Sequence, residues 1–196
     1  MIKRQALFIH CHPKKESFTR AILDESRGVV PDKSWNVQEI DLYSENFSPI
    51  LTEEEISRRT SFDARVQEFE TLVSSSDLLV FVYPDWWGQM PALLKGWVDR
   101  VFRQGVAYDY QGDEYMPKTK VPLFNNKTAI VFITSDNTQA GTSQDSIWRT
   151  SIGDFTGLRI AALKVFGPLH NSRRSTRLGW LKTTNEVTSK YFLALE

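Results

Sequence analysis

Residues 78–102 read LLVFVYPDWWGQMPALLKGWVDRVF. The first six residues of this run are apolar without interruption, which is typical of a strand covered on both faces at the centre of a parallel sheet. Farther on, Pro91 fits the first position of a helix, and the residues after it place apolar side chains at helical spacing. The run therefore predicts a buried strand over residues 78–83, then a turn, then an amphipathic helix that begins near Pro91.

Segments on either side of this run predict four more strands, two from buried apolar runs (residues 6–9 and 129–134) and one from alternating polar and apolar residues (residues 36–42). They lie at residues 6–9, 36–42, 129–134 and 158–166. Helical patterns separate the strands and follow the last one, beginning at Phe18, at Thr52, near Phe62, near Ser146 and after Ser172. Residues 104–126 carry prolines, glycines and mixed charge, and we expect them to form a long surface excursion.

Strands that alternate with helices predict an α/β fold, in which a parallel sheet has helices on both faces and right-handed crossovers. Five strands favour the flavodoxin-like order 2-1-3-4-5 over the six-stranded dinucleotide-binding fold. The sequence contains no Gly-x-Gly-x-x-Gly and no Walker-type Gly-Lys-Ser/Thr, which removes the main support for a dinucleotide fold or an ATPase. A length of 196 residues fits one domain, which we expect to span residues 1–196.

Composition narrows the class of partner. The formal net charge is 0, which gives no general attraction to nucleic acid or to an anionic membrane. The apolar run at residues 6–9 is too short for a signal peptide or a membrane span, so we expect no membrane insertion and a cytoplasmic location. Cys11 is the single cysteine, so neither an internal disulfide nor a zinc-type spacing is available, and we expect no metal site. We interpret Cys11 as a small core residue.

In sheets of this kind a ligand lies outside the carboxyl ends of the strands, where the strand order reverses. The rule points first to the loop at residues 10–19. Ser17 and Thr19 offer hydroxyls there, and the unpartnered N–H groups at the start of the following helix favour a phosphate. Ser17 as an ordinary helix N-cap is the alternative, and His12 either donates to a phosphate or caps the turn.

Two further loops lie at the same edge of the predicted sheet. Trp86 and Trp87 follow the central strand, and with Gly88 they suit a flat ring that needs an apolar wall and a close backbone approach. Alternatively, one tryptophan packs on the sheet and the other covers a partner subunit. We expect at least one to serve packing, and Trp86 to contact the ring. The third loop, residues 134–142, begins with small polar groups that suit a ring edge or a ribityl chain, although singly they are ordinary turn residues.

Several motifs along the chain point to one family. They are His12-Pro13, Ser17-Phe18-Thr19, Tyr83-Pro84-x-Trp86-Trp87-Gly88, residues 91–102, Gly105-x-Ala107-Tyr108 and, near the end, Gly167-Pro168 and Asn171-Ser172. Together they resemble the NAD(P)H dehydrogenase (quinone) family of flavodoxin-like flavoproteins, in particular the bacterial NAD(P)H oxidoreductase or modulator of drug activity B type. The resemblance covers nearly the whole chain.

The resemblance implies a non-covalent FMN, with FAD as the alternative, reduced by NADPH or NADH and reoxidised by a quinone-like acceptor. It also implies a homodimer. The flavin phosphate is then expected against His12, Ser17, Phe18 and Thr19, the ring on Pro84, Asp85, Trp86, Trp87 and Gly88, and further contacts from Thr134, Ser135, Asp136 and Asn137.

Catalytic residues do not follow from the resemblance. Mammalian-type members carry a Gly-Gly pair after the fourth strand and then a Tyr and a His that stabilise the reduced flavin. In this sequence Thr142 and Trp148 fall near the Tyr and His positions. We therefore assign no general acid or base.

Two other functions stay open at this point. One is a flavin-binding regulatory or ancillary protein of a membrane transport system, with little turnover of its own. The other is a one-electron carrier like flavodoxin, which is disfavoured because the first loop is not rich in Thr, Ser and Gly and the chain is not strongly acidic.

Overall fold

A parallel five-stranded sheet forms the centre of the computed structural model, which describes residues 3–112, 118–137 and 139–193. The strands, in chain order, are β1 (Arg4–His10), β2 (Trp35–Asp41), β3 (Leu78–Pro84), β4 (Tyr108–Gln111), β5 (Thr119–Pro122), β6 (Thr128–Thr134) and β7 (Arg159–Phe166). The main sheet has the order β2-β1-β3-β6-β7, with every neighbouring pair parallel. With the short β4 and β5 set aside, this is the predicted flavodoxin-like order.

The burial of each strand follows from its place in the sheet. All seven residues of β3 and all seven of β6 are buried, because helices cover both faces of these inner strands. The outer strands β2 and β7 alternate between buried and more exposed positions. Side chains of β3 point alternately to two separate cores, with Phe81 in one and Val80 in the other.

Helices lie on both faces of the sheet, as predicted. They are α1 (Phe18–Gly28), α2 (Glu53–Arg58), α3 (Ala64–Ser75), α4 (Ala92–Val101), α5 (Ala140–Asp145), a π-helix (Ser146–Gly153), α6 (Asp154–Thr156) and α7 (Arg174–Leu193). One core receives side chains from α3, α4 and the π-helix, and the other receives them from α1 and α7. Within the described ranges, no helix is both long and apolar enough to cross a membrane.

The prediction of a long surface excursion over residues 104–126 is wrong in part. Strands β4 and β5 pair there as an antiparallel hairpin, whose connecting residues 113–117 lie outside the described part of the chain. Ala107 and Phe124, which flank the hairpin, are fully buried, and the Phe124 ring packs edge-on against Phe102 at 5.0 Å. The segment is therefore anchored in the core by residues on either side of the hairpin, whereas no residue of β4 or β5 is itself buried.

The connection between β2 and α3 is held against α4 by a buried ion pair. Arg100 donates from Nη2 to Glu55 Oε1 at 2.8 Å and from Nη1 to the Ser48 carbonyl at 2.7 Å. Burial alone would raise the pKa of Glu55, but hydrogen bonds from Arg100 and neighbouring groups outweigh it and lower that pKa to about 2. Close by, Gly96 touches the connection directly: a Cβ there would lie 2.6 Å from Pro49 Cα, so a side chain has no room.

Candidate functional site

A cleft of about 580 Å³ opens at the carboxyl ends of β1, β3 and β6. Its lining residues are His12, Pro84, Asp85, Trp86, Trp87, Gly88, Thr134, Ser135, Asp136, Asn137 and Leu169. Every residue that the sequence singled out for a ligand lines this cleft, except Ser17, Phe18 and Thr19. Sequence reasoning missed Leu169, which follows β7; its one signal was the preceding Gly167-Pro168.

The tandem tryptophans lie on a two-residue hairpin turn at the mouth of the cleft. Trp86 and Gln89 exchange two backbone hydrogen bonds of 3.1 Å, and between them Trp87 (φ 59°) and Gly88 (φ 78°) both adopt the left-handed conformation. Two successive positive φ angles define a type I′ turn, whose twist matches the flanking chain. Trp86 is partly covered, at 41% exposure, whereas the Trp87 side chain is 100% exposed. Of the two tryptophans, it is therefore Trp86 that packs against other residues of this chain.

A buried carboxylate forms part of the cleft wall. Asp85 accepts a hydrogen bond on Oδ2 from Ser135 Oγ at 3.0 Å and another on Oδ1 from Gln144 Nε2 at 2.7 Å. Ser135 Oγ in turn accepts from the backbone N–H of Asn137 at 2.9 Å. The turn after β3 and the loop after β6 are thus joined through Asp85 and Ser135, which fixes the relative position of the two predicted loops.

The hydrogen bonds continue from Gln144 into the core. Tyr83 donates its hydroxyl to Gln144 Oε1 at 2.7 Å, and Trp148 donates its Nε1–H to the Tyr83 oxygen at 2.7 Å. All three side chains are fully buried, and burial raises the pKa of Tyr83, so its hydroxyl stays protonated. Trp148, which falls near the His position of mammalian-type enzymes, is therefore a core residue in this chain, while Thr142 is exposed.

The start of α1 supplies the remaining predicted residues. Ser17 is an N-cap whose Oγ accepts from Arg20 N at 3.1 Å, which confirms the alternative interpretation of this residue. Thr19 is buried, and its hydroxyl meets the Thr134 hydroxyl at 2.9 Å, so the first turn of α1 is tied to the cleft wall. Phe18 is half-buried and packs against Trp180, with ring centroids 5.8 Å apart.

A hydrogen bond and burial determine the roles of His12 and Cys11 in the first loop. His12 Nδ1 lies 3.0 Å from the Lys14 backbone nitrogen, so this ring caps its own turn, as one of its two predicted roles required. Burial lowers the pKa of His12, and the ring is neutral at neutral pH. Cys11 is fully buried, which raises the pKa of its thiol to about 12 and makes it unreactive, as predicted for a core residue.

The cleft fits a flat, phosphate-bearing ligand. Its volume lies within the range of small-molecule sites, roughly 300–1,000 Å³. The Trp86–Trp87 turn offers an aromatic wall, and the loop after β6 offers small polar groups. The N-terminus of α1 does not line the cleft but is tied to its wall through Thr19 and Thr134, and the first N–H groups of a helix favour a phosphate. A flavin has these three parts, namely a ring, a polar chain and a phosphate.

The fold and the cleft together define an α/β protein with a ligand site at the switch point of a parallel sheet. The chain belongs to the flavodoxin-like fold family, whose model matches residues 4–167.

Curated relatives agree with the resemblance found in the sequence. The chain is 28% identical to an uncharacterised NAD(P)H oxidoreductase of Haemophilus influenzae, over 96% of each chain. It is 30% identical to NAD(P)H dehydrogenase [quinone] 1 of Cavia porcellus, over 70% of this chain but only 55% of that protein. The predicted resemblance to NAD(P)H:quinone oxidoreductase-like flavoproteins is confirmed.

Solved structures give the same result. An NAD(P)H:quinone oxidoreductase from Methanothermobacter marburgensis has a TM-score of 0.79 at 25% identity, covering 97% of this chain and 98% of that one. An FMN-dependent NADH-azoreductase from Bacillus anthracis, solved with FMN, has a TM-score of 0.68 at 16% identity, covering 96% and 99%. This second likeness is one of fold.

Proposed function

We propose that this protein is a flavin-dependent NAD(P)H oxidoreductase that passes hydride from NAD(P)H, through a bound flavin, to quinones or similar flat electrophilic acceptors. The observation that carries the proposal is the cleft, where an aromatic turn and a polar loop meet at the carboxyl edge of the sheet, with the N-terminus of α1 beside it and tied to its wall through Thr19 and Thr134. The names of the relatives, NAD(P)H oxidoreductase and NAD(P)H dehydrogenase [quinone], support the reaction class.

The flavin supplies the hydride chemistry, and the protein supplies binding and orientation. Ser17, Phe18 and Thr19 lie where their backbone would hold the phosphate at the start of α1, next to His12. The turn from Pro84 to Gly88 would provide the wall for the ring. The loop from Thr134 to Asn137 would supply polar contacts. Since the buried Trp148 occupies the place near the His of mammalian-type enzymes, we assign positioning rather than proton transfer to these residues.

We propose FMN rather than FAD, and NADPH rather than NADH. FMN fits because the loops of the flavodoxin core account for all three parts of that cofactor. The preference for NADPH rests on Lys14 and Lys15, which are exposed in the first loop beside His12 and would meet an additional phosphate. Equilibrium binding of each cofactor to the flavin-free and flavin-loaded protein would rank the four candidates.

We also propose that two copies of the chain associate. The connection between β2 and α3 exposes large apolar side chains, with Ile50 at 69%, Ile56 at 64% and Phe62 at 64%. Trp87 is a further fully exposed apolar group beside the cleft. Light scattering after size-exclusion chromatography should give the mass of a dimer, and a mass of 22.6 kDa would contradict this part of the proposal. A cytoplasmic location stays a prediction.

The visible absorption spectrum of the purified protein, before and after NADPH is added without oxygen, tests the proposed function. We expect flavin bands that bleach on addition and return with a quinone. Trp86→Ala should weaken flavin binding, whereas Leu178→Ala, an exposed apolar residue on α7, should leave it unchanged. Flavin bands that neither NADPH nor NADH bleaches would favour the ancillary role. Failure to take up FMN or FAD on reconstitution would refute the proposal.

A further inference from the structure

The buried hydrogen bonds behind the cleft have only one allowed direction. Trp148 Nε1 is a donor without acceptor capacity, so the Tyr83 oxygen must accept from it. The Tyr83 hydroxyl proton then points to Gln144 Oε1. Consequently the Gln144 amide group that faces Asp85 is the NH₂, which can only donate. The indole in the core thereby sets the orientation of every group up to the cleft wall.

The last group in this series of hydrogen bonds must be an acceptor. That group is Asp85, which accepts on both carboxylate oxygens. Gln144 donates to Oδ1 and Ser135 donates to Oδ2, an arrangement that suits an ionised carboxylate. Asp85 is 9% exposed and lines the cleft. Among the described residues, the side-chain hydrogen bonds that Asp85 makes come from neutral groups, so its charge is solvated by dipoles and is not neutralised by a cation.

From this geometry we propose that Asp85 places a fixed negative charge against the bound flavin and so makes the reduced flavin a stronger hydride donor. The inference rests on the proposed function, because it needs a flavin in the cleft. Hydride transfer from NAD(P)H adds two electrons and one proton to the ring, so the ring gains one negative charge while the nicotinamide becomes a cation. A buried carboxylate beside the ring opposes that added charge and lowers the reduction potential, since few water molecules screen it.

Asp85→Asn removes the charge and keeps the hydrogen bonds. The asparagine oxygen can accept from Gln144, and its NH₂ can donate to Ser135 Oγ, whose proton can turn to the Asn137 carbonyl at 3.3 Å. Asp136→Asn is the matched control. It removes a carboxylate from the same cleft, but this one is 56% exposed at its side chain and paired with His170.

The experiment measures the two-electron midpoint potential of the bound flavin by redox titration against a reference dye, with dissociation constants for oxidised and reduced flavin as a second readout. The ratio of the dissociation constant for oxidised flavin to that for reduced flavin should rise at least about tenfold from wild type to Asp85→Asn. A tenfold change corresponds to a rise of about 30 mV for a two-electron couple. We expect the same ratio to change less than about threefold in Asp136→Asn, because solvent screens that carboxylate.

An unchanged potential in flavin-loaded Asp85→Asn, or an equal rise in Asp136→Asn, would overturn the inference and leave the proposed function standing. A wild-type protein that takes up no flavin would overturn both. If Asp85→Asn does not fold, Asp85→Ser gives a second neutral variant, because a hydroxyl can still accept from Gln144. The same rise in potential is expected there, and its absence would again overturn the inference.

Discussion

Replacing Trp87 by asparagine should stabilise the flavin-free protein. Trp87 is held at φ 59°, and a left-handed conformation costs a residue with a branched or bulky side chain about 1–2 kcal/mol. Asparagine followed by glycine is strongly preferred in a type I′ turn, so an asparagine placed directly before Gly88 would remove most of that strain. No compensating apolar burial is lost within the chain, because the Trp87 side chain is 100% exposed.

The expected gain in the free energy of unfolding is therefore about 1 kcal/mol. For a protein of this size, that gain corresponds to a rise of roughly 2–4 °C in Tm. The assay is thermal unfolding of flavin-free Trp87→Asn and wild-type protein, at a concentration low enough to keep both monomeric. Flavin titrations on the same samples should show weaker binding in the variant, because one wall of the cleft has been removed.

Trp86→Asn is the matched control for this prediction. Trp86 lies next to Trp87 and carries the same side chain, but more than half of its surface is covered and its φ is not in the left-handed region. The same substitution should therefore lower the stability, by roughly 2–3 kcal/mol of lost apolar burial. A fall in Tm for Trp87→Asn would refute the reasoning, because it would mean that the Trp87 ring is packed in the folded protein in solution.

Three further substitutions test the packing of α4, two at its contacts and a third as a control on α7. The pKa of Glu55 falls from 4.5 to about 2 on folding, so its ionised form adds about 3 kcal/mol of stability, fully present above about pH 5 and lost as the pH falls toward 2. Urea unfolding at a series of pH values should show that Glu55→Gln removes this pH-dependent part of the free energy of unfolding. An unaltered pH profile would count against the ion pair with Arg100. Gly96→Ala should lower the stability by about 2 kcal/mol or more, because its Cβ would collide with Pro49. Gly179→Ala on α7, with no atom within 4 Å of the new Cβ, should instead raise the stability by about 0.5–1 kcal/mol. Equal effects of the two alanine substitutions in chemical denaturation would contradict the close contact between Gly96 and Pro49.

The main sheet could be predicted from sequence because its inner strands are buried on both faces. Such strands appear as uninterrupted apolar runs, as in β3 and β6, and the helices between them appear through their apolar spacing. The strand order followed from the number of strands and the alternation with helices. The ligand cleft then followed from the rule for switch points, without any catalytic motif.

The hairpin of β4 and β5 could not be predicted in the same way. Each strand has four residues, too few for a period of two to stand out, and its position against the core depends on distant partners such as Phe102. The link from Trp148 to Asp85 was hidden for a similar reason. Those two residues are far apart in the chain, and spacing along the sequence carries no information on which side chains meet across a fold. The first loop, in contrast, left two uses of Ser17 open, and only the capping geometry decided that it caps α1.

The strand order also determines when the cleft comes into existence during protein synthesis. Strands β2, β1 and β3 are neighbours in the sheet, so they can pair once the ribosome has released about the first half of the chain. The cleft, however, also needs the loop after β6 and Leu169 beyond β7, which emerge much later. A nascent chain therefore has the Trp86–Trp87 turn exposed to solvent before its ligand site is complete. The complete cleft can therefore form only after Leu169 has been made, well after the three strands that open it.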